Sequence, residues 1–124
     1  MLRIYTASKS YMAPAWQRFR EQLVDVEITS RWIDQEHSTD SQVLEKRARE
    51  NQQDIARADM VLVYGGEEDR LSETLVAVGR ALQAGKTVIC VGTSPSFTDW
   101  TYDKNVHFAE SPLAAVELGR KLFG

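Results

Sequence analysis

A single cysteine stands among 124 residues, so no disulfide can close within the chain. Cys90 lies inside the apolar run Val88–Val91, where a buried, inert thiol is expected, and a reducing, cytoplasmic setting fits it. The two histidines, His37 and His107, are far apart and have no cysteine or carboxylate partners at ligand spacing. Neither a zinc site nor a Ser-His-Asp arrangement is therefore supported by the sequence. No stretch approaches the roughly 20 apolar residues needed to span a bilayer, and the N-terminus opens on a strand-like segment rather than an apolar signal core. No basic excess is present either. The formal net charge is -3 with both signs mixed along the chain, which argues against polymeric nucleic acid as a partner. Repeats, linkers and low-complexity tracts are also missing.

What is present is an alternation of two periodicities. Leu2–Thr6 alternates apolar and polar residues, and the small polar group Ala7-Ser8-Lys9-Ser10 ends it. Pro14 suits a helix's first turn, and Trp16, Phe19 and Leu23 form one stripe. Val26–Trp32 reads as a second strand, followed by a polar stretch, Asp34–Asp40, of loop and cap residues. From Ser41 the pattern is helical, with Leu44, Ala48 and Ile55 on one face and Asn51 as that face's odd member. Asp59–Tyr64 is a nearly continuous apolar strand, as a parallel sheet covered on both sides requires, and Gly65-Gly66 ends it.

A third helix is expected from Ser72, as N-cap, to Ala84, with Gly85 as its stop and Leu75, Val78 and Leu82 facing inward. Thr87–Val91 is the fourth strand and Val106–Phe108 a short fifth. Ser111-Pro112 then caps and starts a last helix, reaching about Leu122. The whole chain, residues 1–124, is therefore one α/β domain. Right-handed crossovers give a three-layer, five-stranded parallel sheet, flavodoxin-like or Rossmann-like, in the order 2-1-3-4-5.

In such a sheet ligands bind outside the carboxyl ends of the first and third strands, where successive connections leave for opposite faces. That places Tyr5 to Ser10 and Gly65 to Ser72 at the expected crevice. Ser8 and Lys9 offer a hydroxyl and a cation to a phosphate or carboxylate, or form an ordinary polar loop. The acidic run Glu67-Glu68-Asp69 is either solvated or set beside the crevice, facing sugar hydroxyls. Trp100 and Tyr102, in the long loop Thr93–Asn105, fit a stacking lid over a base or a subunit contact. Gly79 to Gly85-Lys86-Thr87 has five intervening residues and follows a helix instead of opening one, so it is not a P-loop.

Several segments resemble the nucleoside 2-deoxyribosyltransferase family, with its nucleotide N-glycosidase relatives and short phage-type members. They are Ile4-Tyr5, Thr29-Ser30-Arg31-Trp32-Ile33-Asp34, Asp54-Ile55-Ala56-Arg57-Ala58-Asp59, the stretch from Val76 through Gly79-Arg80 to Lys86, and Val91-Gly92. They cover most of the chain in the family's order, and that order carries the resemblance. It implies a flavodoxin-like sheet, dimers or higher assemblies, and cleavage or exchange of the bond between a nucleobase and a sugar. It also implies a glutamate near the start of the third helix, attacking the anomeric carbon through an oxocarbenium-like transition state, with an aspartate on the preceding helix and an early tyrosine assisting.

Carried over residue by residue, the tyrosine is Tyr5, but the nucleophile position, two before Gly79, is Ala77, and the assisting aspartate falls at Asn51. Asn51 can hydrogen-bond a base and cannot exchange a proton near neutral pH. Glu73, one turn before Ala77 on the same face, is the replacement candidate for a catalytic carboxylate, with Asp54 a weaker one. The leading expectation is a nucleoside-, nucleotide- or related ribosyl-binding protein, with Tyr5, Ser8, Lys9, Asn51, Gly65, Gly66 and Ala77 at the ligand. No metal or cofactor is expected. The alternatives are an active N-glycosidase or deoxyribosyltransferase using Glu73 and a non-catalytic interaction subunit.

Overall fold

In the computed structural model, which describes all of residues 1–124, the strands are β1 (Leu2–Ala7), β2 (Val26–Ile28), β3 (Met60–Gly65), β4 (Thr87–Gly92) and β5 (Val106–Ala109). The helices are α1 (Ala13–Glu21), α2 (Ser41–Arg57), α3 (Thr74–Gln83) and α4 (Pro112–Phe123). All strand pairs are parallel and the order is β2-β1-β3-β4-β5, as the alternation predicts.

Period-two alternation assigns each strand residue to a layer. Ile4, Met60, Leu62, Ile89 and Val91 face Trp16, Phe19, Ala115 and Val116, so α1 and α4 cover one side. Tyr5, Ala7, Val61, Val63, Val88 and Cys90 face Ile55, Val78 and Ala81, which puts α2 and α3 on the other. Cys90 has no exposed surface, and burial pushes its thiol up to about 12, so it is the inert core residue expected.

Helix starts follow the sequence closely. Asp40 caps α2, accepting from the Gln42 and Val43 N–H groups, and Ser111 caps α4, accepting from Ala114 N–H. Three expectations differ. The residue preceding α3 is Glu73, not Ser72, and no side chain caps that helix. Leu44 and Ala48 are exposed rather than inward-facing. α2 has 17 residues, about 25 Å of helix, and its first half overhangs the carboxyl edge of the sheet so that only Asp54 and Ile55 reach the core.

The third difference is β2, which stops at Ile28 instead of running to Trp32. Thr29 N–H still bonds Ile4 O at 2.8 Å, but the Ser30 side chain then takes the next partner, accepting from Thr6 N–H at 3.1 Å. Arg31 N–H donates to the Asp54 carboxylate at 3.0 Å, and a 3-10 turn, Arg31–Asp34, follows. Asp54 is 1% exposed, and both of its oxygens also accept from Arg31 Nε, at 3.0 and 3.2 Å. Thr29 Oγ1 donates to the carbonyl of Asp54 at 2.8 Å. One carboxylate thus replaces a strand partner and ties the end of β2 to α2.

Removing this acid leaves Arg31 N–H and its guanidinium without their buried acceptor. Asp54→Ala is expected to destabilise the fold by about 2–3 kcal/mol, measured by urea unfolding. A change within about 0.5 kcal/mol would contradict the assigned role.

Candidate functional site

The sheet's first connection, from β1 to α1, leaves for the α1/α4 side, and that from β3 to α3 leaves for the α2/α3 side. Between the end of β1 and the facing surfaces of α2 and α3 lies a cavity of about 570 Å³, within the size range of small-molecule sites. β1 contributes Tyr5 and Ala7, its following loop Ser8, Lys9 and Ser10, and the 3-10 turn Trp32. α2 contributes Ala48, Asn51, Gln52 and Ile55. The far wall is Arg70, Ser72, Glu73, Thr74, Val76, Ala77 and Arg80.

All five non-glycine binding positions expected from sequence, Tyr5, Ser8, Lys9, Asn51 and Ala77, line this cavity, and so does Glu73. The other two expected positions, Gly65 and Gly66, lie outside this lining. Gly65 packs so closely under the next loop that an added Cβ would stand 2.5 Å from Ser94 Cβ, and Gly66 N–H is engaged by Asp69 Oδ2 at 2.8 Å. Asp54 is also outside the lining, held by Arg31. Trp100 and Tyr102 are not at the cavity either. Trp100 Nε1 donates to Ser96 O at 2.8 Å, its ring packs edge-on to Phe97, and Tyr102 is 90% exposed.

The polar groups on the wall differ in how far they are committed. Ser8 Oγ donates to Lys9 O at 3.0 Å and accepts from buried Trp16 Nε1 at 2.8 Å, so its proton is spent inside the loop. Asn51 Oδ1 is buried without a hydrogen-bond partner. An orphaned buried acceptor costs about 1–3 kcal/mol, and a donor brought to it recovers that cost. Trp32 Nε1 donates to Thr6 O at 2.7 Å, fixing the indole as a wall beside Tyr5. Burial, and secondarily the charge of Asp54, raises the Tyr5 hydroxyl well above the ordinary phenol range, so it remains protonated.

Reasoning from sequence put Arg70 and Ser72 in the crevice segment Gly65 to Ser72 without giving either a role, and it missed Arg80, Trp32 and Gln52. Helical spacing carries the signal for Arg80, three residues after Ala77 and four after Val76 on one face. Arg70 was masked by the neighbouring acids. Glu67 and Glu68 are exposed and away from the cavity, whereas Asp69 folds back as a brace. Asp69 Oδ2 accepts from Tyr11 Oη at 2.7 Å as well as from Gly66 N–H, linking the β1–α1 and β3–α3 loops. From the other side Ser94 Oγ donates to Asp69 O, and Leu71 N–H donates to Ser96 Oγ at 2.8 Å. Gly92, at φ 102°, is required where β4 leaves, since a Cβ there would collide with the Gly65 carbonyl.

The sequence matches no family model, and no curated protein matches it. Solved structures do match in fold. A 2-deoxyribosyltransferase of Bacillus psychrosaccharolyticus superposes with a TM-score of 0.63 at 16% identity, over 88% of this chain and 86% of its own. The CMP N-glycosidase BcmB of Clostridium botulinum gives 0.59 at 16% identity, over 97% of each chain. The chain thus shares the nucleoside 2-deoxyribosyltransferase-like fold that the sequence resembles.

The brace has a measurable signature. The Tyr11 hydroxyl, then Gly66 N–H, then the Lys9 charge hold the Asp69 carboxyl below its ordinary value, and the same bond pushes Tyr11 up to about 12. Because the folded-state value is the lower one, the stabilisation is complete above the unfolded carboxyl's pKa of about 4 and is lost as pH falls through the folded value. Tyr11→Phe is expected to bring the Asp69 titration, followed by carboxyl carbon NMR shifts, back toward the ordinary range. An unchanged titration would show that the bond is absent in solution.

Proposed function

We propose that the protein binds a nucleoside, nucleotide or related ribosyl compound in the cavity at the end of β1 and does not efficiently transfer or hydrolyse the glycosyl bond. The observation that carries this reading is the cavity wall itself. It keeps an aromatic pair, Tyr5 and Trp32, and an amide, Asn51, for a sugar and base, while the α3 position expected to hold the attacking acid is Ala77. The shared fold supports it, since two solved structures of that fold are by name a 2-deoxyribosyltransferase and a CMP N-glycosidase. In this reading Tyr5, Ser8, Lys9, Asn51 and Ala77 surround the ligand. Without a carboxylate at 77, no anion stands where the family's oxocarbenium-like transition state would need one.

Glu73 supports a second reading, because it is the only carboxylate on the wall and no cation pairs with it. As nucleophile its oxygen would bond the anomeric carbon while the carbon–nitrogen bond breaks toward the base, which takes up a proton. Water would then release the sugar from the ester. Against it stands its offset from position 77 by a full turn, about 5 Å along the axis, where misplacement of about 1 Å already costs about a hundredfold.

Incubation with a panel of nucleosides and 5′-nucleotides, followed by chromatography for free base, is expected to show no enzymatic release, while members of the same panel raise the melting temperature. Base release abolished in Glu73→Gln would replace binding with catalysis.

Homodimerisation belongs to this proposal. Leu44 and Val43 are 46% and 37% exposed on the first half of α2, Val76 is 56% exposed on α3, and Val76 and Ala48 both line the cavity. A second copy seated there would cover the apolar rim. Sedimentation equilibrium is expected to give a dimer that Leu44→Glu dissociates. A monomeric wild-type protein at tens of micromolar would remove this part of the proposal.

A further inference from the structure

We infer that the ligand carries phosphate oxyanions, held by Lys9, Arg70 and Arg80. This rests on the cavity being the binding site and deepens that reading by fixing the ligand's charge. Three cations face one carboxylate on the wall, in a chain whose net charge is -3. The imbalance is therefore local and opposite in sign to the protein as a whole.

These cations are also uncommitted. Arg3, Arg20, Arg31, Arg49, Arg57 and Arg120 each have a carboxylate within ion-pair distance. Lys9, Arg70 and Arg80 have none, and even Glu73 on the same wall pairs with none of them. Asp69, whose charge acts on Lys9, is occupied by Tyr11 and Gly66. Lys9 rises from the β1 side and the two guanidiniums from the α3 side, so an anion between them meets charge from both walls. Arginine forks match phosphate oxygens in pairs of hydrogen bonds, while lysine adds a point charge. A neutral nucleoside would leave all three cations facing an empty part of the cavity. The placement of Arg80 three residues after Ala77 further sets a cation, not an anion, beside the position from which glycosyl attack would start.

The test compares a nucleoside, its 5′-monophosphate, ribose 5-phosphate and pyrophosphate by calorimetric titration. The monophosphate is expected to bind at least about tenfold more tightly than the nucleoside. Arg70→Ala and Arg80→Ala should each weaken the phosphate compounds about tenfold or more and leave the nucleoside nearly unchanged. Both side chains are exposed, so the variants should fold, which their melting temperatures check. Glu73→Gln, by removing the opposing charge, should tighten phosphate binding. Equal affinity for nucleoside and monophosphate, or equal losses for both in the arginine variants, would overturn the inference while leaving nucleoside binding in place. Binding of ribose 5-phosphate or pyrophosphate without any gain from a base would sustain the phosphate site and overturn the nucleobase reading. No binding by any of the four would overturn both.

Discussion

A single buried carboxylate determines where the cavity's near wall stands. Asp54 takes the backbone N–H and the guanidinium of Arg31, and its own carbonyl accepts from Thr29. The edge strand is thereby cut short and its continuation curled into the turn that carries Trp32 to Thr6 and the cavity. A longer β2 would have sent alternate residues to opposite faces of the sheet, and the indole would not have been placed by a bond to the end of β1. The acid works as a structural anchor because its charge is matched on the spot, and for that reason it has no reactivity to offer the ligand.

The opposite wall rests on a second device, the crossing of three loops over the carboxyl edge of β3. Asp69 reaches Tyr11 and Gly66 on one side, while Ser94 and Ser96 grip the same loop from the other. Glycines at 65 and 92 permit the close approach. The consequence is that the acidic run is turned away from the cavity and Arg70 is left facing it. A loop that is acidic in composition thus contributes a positive wall. In the proposed reading, this wall together with Ala77 and Asn51 on the two helices suits the cavity to holding an anion.

The fold was legible because the apolar runs at 59–64 and 87–91 have no plausible location except a sheet covered on both faces, and because Pro14, Asp40, Gly85 and Ser111-Pro112 punctuate the helices between them. Strand order and the position of the crevice follow from that alternation. The end of β2 was not legible, since Thr29 to Trp32 is as strand-like as the residues before it and the competing acceptor, Asp54, lies more than twenty positions away. Leu44 and Ala48 keep helical spacing with Ile55, yet how far α2 overhangs the sheet depends on element lengths rather than on periodicity. At the site, Tyr5 was reachable from its place at a strand end and Asn51 as the odd member of a helix face, whereas Ala77 was singled out only through the family resemblance. Arg70 lay in the segment expected at the crevice, but its place on the wall was not readable, because the direction of a side chain in a loop is decided by the hydrogen bonds of its neighbours.

The central claim is a retained sugar-and-base receptacle whose charge has been reversed. It is tested most directly by the crystal structure of the protein after prolonged incubation with a nucleoside 5′-monophosphate. The account predicts an intact nucleotide, with its phosphate among Lys9, Arg70 and Arg80, its base beside Trp32 and Asn51, and Ala77 facing the sugar. A sugar esterified to Glu73, or separated base and sugar phosphate, would contradict it.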